Sequence, residues 1–210
     1  MKTLAGLLVL AVLAGLTGCA MGPVQMAKTE AETFKTRYDD PELAKLYTQN
    51  EAKLKDIYAR YRKAGVNFYY DGLGVTAIRD AAGKKYPGLM VNIRPMDVVF
   101  DENASTGQKR FAKVLREDFP KYIKYLNRSD YSGEGIYGVA FGIYWPVRDY
   151  TQCNVNGGFI EYAIVYLSAD DANDVLEGRK SFFDVAKTTE VITSLDLKPA
   201  VSVRVVEQGG

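Results

Sequence analysis

The most regular two-residue pattern along the chain runs from Ile136 to Trp145, where large apolar residues alternate with small ones. The odd positions Tyr137, Val139, Phe141, Ile143 and Trp145 are all large, whereas Gly138, Ala140 and Gly142 are nearly bare backbone. A period of two with one bulky side predicts a strand whose odd face is core. Glycine inside a strand marks close approach by another backbone or a ligand. Gly138, Ala140 and Gly142 therefore form a candidate close-packing or ligand face; a helix lying over them is the expectation, and a ligand groove the alternative. Residues 159–167 are apolar on both faces except at Glu161, which predicts a central strand. The two segments read as a hairpin, the first ended by Pro146 and joined to the second by the connection 147–157. Residues 89–94 alternate as a half-buried strand, and Val98 to Phe100 extends it after Pro95. Residues 66–70 and 75–79 read as a short hairpin about Asp71-Gly72, and 191–193 and 201–205 as two last strands.

Helical spacing replaces alternation in two stretches. Leu43, Leu46, Tyr47, Asn50, Leu54, Ile57, Tyr58 and Tyr61 recur at steps of three and four, behind Asp39 or Asp40 as cap and Pro41 in the first turn; Gly65 stops the run. This tyrosine-rich stripe is expected to pack on the sheet, with phenol oxygens at the rim. Phe111, Val114, Leu115, Phe119, Tyr122, Ile123 and Leu126 form the second stripe, ringed by Arg110, Lys113, Arg116, Glu117, Lys121 and Lys124 as a solvated face. Pro120 predicts a kink or break near Phe119. Ser168 heads a capped short helix to about Glu177, and residues 182–186 add another turn or two. The pattern is that of an α+β fold, a mainly antiparallel sheet with two longer amphipathic helices packed on it.

The extreme N-terminus obeys neither period. Lys2 precedes a thirteen-residue run, Leu4 to Leu16, without a polar side chain, and the run closes on Leu16-Thr17-Gly18-Cys19. Thirteen residues fall short of the roughly 20 that a membrane-crossing helix needs, and the small residues suit a cleavage site. This segment resembles a bacterial lipoprotein signal peptide with its lipobox. The resemblance implies a signal peptide at 1–18, a diacylglyceryl thioether and in many bacteria an N-acyl chain on Cys19, and a protein held at a membrane without spanning it. Two or more acyl chains anchor stably where one does not. Without Asp at the second mature position, it implies sorting to the outer membrane, facing the periplasm. Residues 19–33, small and polar with Gly22-Pro23, read as a lipidated tether, and 34–210 as a single extracytoplasmic domain.

Composition narrows the chemistry. Cleavage before Cys19 leaves 192 residues of the 210, in which 26 basic side chains balance 26 acidic ones. That balance makes no case for nucleic acid or a polybasic lipid-binding face. Cys153 would be the one cysteine left, so no internal disulfide is possible, and it is expected to be buried. The chain has no histidine, which removes Ser-His-Asp and Cys-His catalysis and His-ligated zinc. Asp101, Asn103 and Ser105 alternate as in a calcium loop, but the turn glycine is one residue late and the twelfth position is Ala112 rather than Glu. A polar loop capping the next helix is the expectation, and no metal or cofactor follows.

The leading functional expectation is a non-enzymatic, membrane-anchored envelope lipoprotein with a binding, structural or assembly role. Its partners would be the membrane, through the lipid at Cys19, and an envelope protein or glycan. The alternative is a secreted or anchored hydrolase using a carboxylate pair such as Glu134 with Glu161.

Overall fold

A computed structural model of the chain describes residues 26–79, 83–150 and 158–205. The lipobox with Cys19, and Cys153, lie outside the described residues. The centre of the molecule is the pair β4 (Gly138–Arg148) and β5 (Phe159–Ser168), antiparallel from Gly138↔Ser168 to Val147↔Phe159. On one side β4 runs parallel to β2 (Lys85–Arg94), which pairs antiparallel with the edge strand β1 (Asn67–Arg79). On the other side β5 is followed by β6 (Val191–Ser194) and β7 (Val201–Val203), both antiparallel. The two-residue β3 (Phe100–Asp101) lies beside the far end of β4 and completes a mixed, mostly antiparallel seven-stranded sheet.

The odd residues of β4 behave as their size requires. Val139, Phe141, Ile143, Trp145 and Val147 are fully buried and share one apolar cluster with Leu89, Val91 and Ile93 of β2 and with the helices. Phe119 and Phe182 close on Phe141. Helices α2 (Pro41–Gln49) and α3 (Glu51–Lys63) cover β1, with Leu54, Ile57 and Tyr61 turned inward. The first helical stripe is divided at Asn50, whose φ of −104° and ψ of 9° leave the helix while its Nδ2 donates to Leu46 O. The second is divided too. α4 (Gly107–Lys113) passes through a π-helical turn (Val114–Asp118) into α5 (Phe119–Ile123), where Pro120 sits in the first turn and needs no N–H partner. α7 (Ala169–Leu176), capped by Ser168, and α8 (Phe182–Thr188), capped by Ser181, finish the layer; α6 (Arg128–Tyr131) is a single turn.

Three local expectations are corrected. Residues 67–79 form one strand rather than a hairpin: between the pairs Phe68↔Ile93 and Leu73↔Val91 the chain takes five steps on β1 against two on β2, a bulge in which Asp71 adopts φ 49°. Pro146 does not end β4. It falls in the gap after the last β2 pair, Ile143, and before the first β3 pair, Val147, where the ladder is already interrupted. Arg110 is not part of a solvated helix face but is 1% exposed inside the core.

Residues 26–33, the later part of the stretch read from sequence as tether, lie along β1 instead, leading into Phe34. Met26 bridges Tyr69, α1 (Glu30–Thr33) carries a capping box from Thr29, and buried Phe34 bridges Leu73. Lys35 N donates to Leu73 O at 2.9 Å and Val75 N to the Tyr38 hydroxyl at 3.0 Å, so the outer edge of β1 is partly satisfied by its own chain. No helix among the described residues is long and apolar enough to cross a membrane.

Candidate functional site

The buried apolar side chains of the helices all join the cluster on the odd face of β4, which leaves the even face of the sheet without a helix layer among the described residues. Gly138, Ala140 and Gly142 lie on this second face, and no helix among the described residues covers them. A Cβ on Gly138 would stand 2.3 Å from Leu167 O and 2.8 Å from Ile78 Cδ1; one on Gly142 would stand 2.2 Å from Asn92 Oδ1 and 3.0 Å from Ile164 Cγ1. Side chains of the flanking strands β1, β2 and β5 fold over the bare stretch and fill it.

Further along the same face the residues change character. Tyr144 of β4 lies directly opposite Tyr162 of β5, and their rings stack at 4.9 Å. Tyr69, carried by the β1 bulge, reaches across to stack on the other side of Tyr144 at 4.0 Å. The interplanar angles of 19° and 24° mean that the three rings stand like plates, hiding their faces against one another and presenting edges and hydroxyls. Tyr144 and Tyr162 are only 5% and 8% exposed. Burial pushes the Tyr69 phenol up to about 12, and burial and then the neighbouring tyrosines raise Tyr144 further, so the row is uncharged at neutral pH. None of the three hydroxyls has a hydrogen-bond partner among the described residues.

Two arginines stand by this row. Arg94 ends β2, one residue past the Ile93↔Ile143 pair, and so lies beside Tyr144; Arg148 ends β4, four residues beyond Tyr144 on the same face. Arg94 is half-buried and Arg148 exposed. Burial first, and the nearby Arg148 charge second, hold the Arg94 guanidinium below its ordinary range. Neither forms an ion pair with a carboxylate among the described residues. The neighbouring Asp149 accepts from Asn103 Nδ2 at 2.8 Å, and the connection 151–157 contains no acidic residue. Asn92 Oδ1, on the same β2 row, is sealed and unpaired.

The carboxylate pair proposed from sequence does not come together. Glu134 is a surface residue paired with Lys53 at 2.9 Å. Glu161 is fully buried on the helix side and bonded on every side: Oε2 accepts from Arg110 Nε and Trp145 Nε1, both at 2.8 Å, and Oε1 from Arg110 Nη2 at 2.7 Å and Asp196 N at 2.8 Å. Arg110 Nη2 also meets Asp196 Oδ1 at 2.8 Å. This closed network is a brace between α4, β4, β5 and the loop after β6, with no lone pair left over for substrate.

The calcium-like loop likewise bonds to itself. Asp101 Oδ1 accepts from Asn103 N, Ser105 O accepts from Arg110 Nη1, and Thr106 caps α4 by accepting from Lys109 N. No group of three or more potential metal-ligating side chains occurs among the described residues.

One perturbed acid lies elsewhere. Asp118, closing the π-helical turn, is pushed up to about 6 by burial and then by Asp97. Its folded value exceeds the ordinary 3.8, so the fold favours the protonated form. That contribution is fully present below about pH 4 and is lost as pH rises through 6. Asp118→Asn should therefore stabilise the protein at pH 7 by about 1 kcal/mol, allowing for solvent screening of a half-exposed group. The gain should vanish near pH 4, and thermal unfolding of both proteins at the two pH values checks it.

No protein-family model, curated protein or solved structure matches this chain.

Proposed function

We propose that the chain is a non-enzymatic, lipid-anchored envelope lipoprotein of the outer membrane, facing the periplasm, that binds a glycan on the sheet face opposite its described helices. The observation carrying the binding reading is the row Tyr69–Tyr144–Tyr162, three uncharged phenols whose hydroxyls have no hydrogen-bond partner among the described residues. A protein partner is usually held by aromatic or aliphatic anchors whose faces enter a pocket. Here the ring faces are consumed by stacking and what remains is a line of hydroxyls, which suits a hydroxyl-rich ligand. The lipobox Leu16-Thr17-Gly18-Cys19 supports the anchor. Because residues 26–34 are held against β1, at most residues 19–25 separate the acyl chains from the fold. Seven residues extend no further than about 25 Å, so the binding face would work close to the bilayer.

Intact mass and lipid labelling of membrane-extracted protein test the anchor. The expected mass is that of the chain from Cys19 plus acyl groups, and Cys19→Ser should abolish labelling; labelling that persists in Cys19→Ser overturns it. Calorimetric titration of the detergent-extracted full protein with N-acetylglucosamine oligomers tests the ligand class. Binding that weakens about tenfold in Tyr162→Val, a change that removes one hydroxyl and one stack, supports it. Absence of saccharide binding overturns it.

A further inference from the structure

We propose that Arg94 and Arg148 form an anion site at the end of the tyrosine row, and that the ligand of this face is a phosphate-bearing saccharide whose phosphate the two guanidiniums share. This deepens the glycan reading and rests on it.

Arg94 and Arg148 sit four residues apart in register on one sheet face, close enough for the Arg148 charge to act on Arg94, and like charges within such reach repel. Most other buried and half-buried cations meet a carboxylate: Arg110 has Glu161 and Asp196, Arg60 has Asp56 and Asp130, Lys53 has Glu134 and Lys187 has Asp184, while half-buried Lys35 lies over the Tyr38 ring. Arg94 departs from that habit, and the exposed Arg148 is a second cation on the same face. Arg94 loses hydration by partial burial, feels Arg148, and has no carboxylate ion pair among the described residues to offset either. A guanidinium is also the side chain best fitted to phosphate, since its planar fork offers parallel N–H donors and remains charged under all physiological conditions. A dianionic phosphate between the two would cancel the repulsion and give both guanidiniums charge-assisted bonds. A neutral sugar would gain nothing from them.

The position of the pair sets the rest of the ligand. Arg94 lies between Asn67, its partner on β1, and Tyr144 on β4, and so borders the row at its middle; Arg148 lies off the row along β4. A phosphate held there leaves its saccharide within reach of the hydroxyls of Tyr144 and Tyr162. Phenols that stay neutral far above pH 7 can donate to sugar oxygens or accept from sugar hydroxyls without adding a charge that would repel the phosphate.

The test uses the full, detergent-extracted protein and four probes: glucosamine, glucosamine 1-phosphate, inorganic phosphate, and lipid A dispersed in the same detergent as a glycolipid carrying phosphorylated glucosamine. Glucosamine 1-phosphate should bind at least about tenfold more tightly than glucosamine or inorganic phosphate. Arg94→Gln and Arg148→Gln should each remove that preference while leaving the thermal unfolding temperature unchanged or raised, because each relieves a repulsion. Competition by lipid A at a lower concentration than soluble glucosamine 1-phosphate assigns the phosphosugar to a lipid headgroup; competition only at a higher concentration assigns it to a free or polymer-borne phosphosugar, and either supports the site. Equal binding of glucosamine and its phosphate overturns the arginine assignment and leaves the glycan reading standing. Inorganic phosphate binding as tightly as the phosphosugar overturns the saccharide assignment, and failure of all four probes overturns both readings.

Discussion

Glu161→Gln should lower the unfolding free energy by about 3–5 kcal/mol, the cost of removing one partner from a buried ion pair. The wild-type carboxylate accepts four hydrogen bonds, two from Arg110 and one each from Trp145 and Asp196 N. Glutamine keeps the shape but turns one acceptor into a donor facing donors. It also leaves the Arg110 guanidinium, 1% exposed, with only the half-exposed carboxylate of Asp196 for charge. Against a typical total stability of about 5–15 kcal/mol, such a loss brings the domain near its unfolding threshold. Chemical denaturation measures it directly, and a loss under about 1 kcal/mol would mean that the network carries little of the fold. The double change Glu161→Leu with Arg110→Met separates the two components. If the penalty comes from stranding a charge rather than from losing the pair, an apolar replacement of both should recover most of the stability.

That network shows where sequence patterning stops. Glu161 is legible as an anomaly, a lone acid in a strand otherwise apolar on both faces, and burying a carboxylate demands a cation. Its partner is not legible, because Arg110 has the spacing of a solvated helix position and only the docking of α4 over β5 turns it inward. The strand 138–148 is readable because large and bare residues alternate through its first half, and its antiparallel partner because it is apolar on both faces except at Glu161; every large odd residue from Val139 onward is buried. The division of the first helix at Asn50 is not, since asparagine fits the stripe by spacing and leaves it by bonding back to Leu46.

The candidate site was less visible still. Tyr144, Tyr162 and Tyr69 come from three strands, and their stacking depends on register and on a bulge that looks locally like a hairpin turn. Arg94 and Arg148 each end a strand, and only the parallel pairing of β2 with β4 brings them to one face. Only the bare residues Gly138, Ala140 and Gly142 pointed to that face, and they mark its packed part rather than its polar end.

Those glycines carry the second large effect. Gly138→Leu should destabilise by about 3 kcal/mol, the upper end of ordinary overpacking, whereas Gly142→Ala should cost less than about 1 kcal/mol. Neither glycine has a positive φ, so backbone conformation does not distinguish them and sterics alone decide. At Gly138 the first obstacle is Leu167 O, a backbone atom of the antiparallel neighbour, 2.3 Å from the new Cβ. It can withdraw only by opening the β4–β5 ladder near the start of α7. At Gly142 the first obstacle is Asn92 Oδ1 at 2.2 Å, the end of a side chain that can rotate. The same atom is sealed without a partner, so displacing it toward water recovers hydration that the wild-type packing denies it. Replacing glycine in a compatible conformation also removes unfolded-state entropy, worth about 0.4–1 kcal/mol in favour of the variant. Denaturant midpoints of the two variants against wild type test the ordering. A Gly138→Leu protein as stable as wild type would mean that this end of the face is open enough to admit a ligand. A Gly142→Ala protein as damaged as Gly138→Leu would mean that Asn92 is fixed in place, and that the floor beside the tyrosine row is as rigid as the ladder itself.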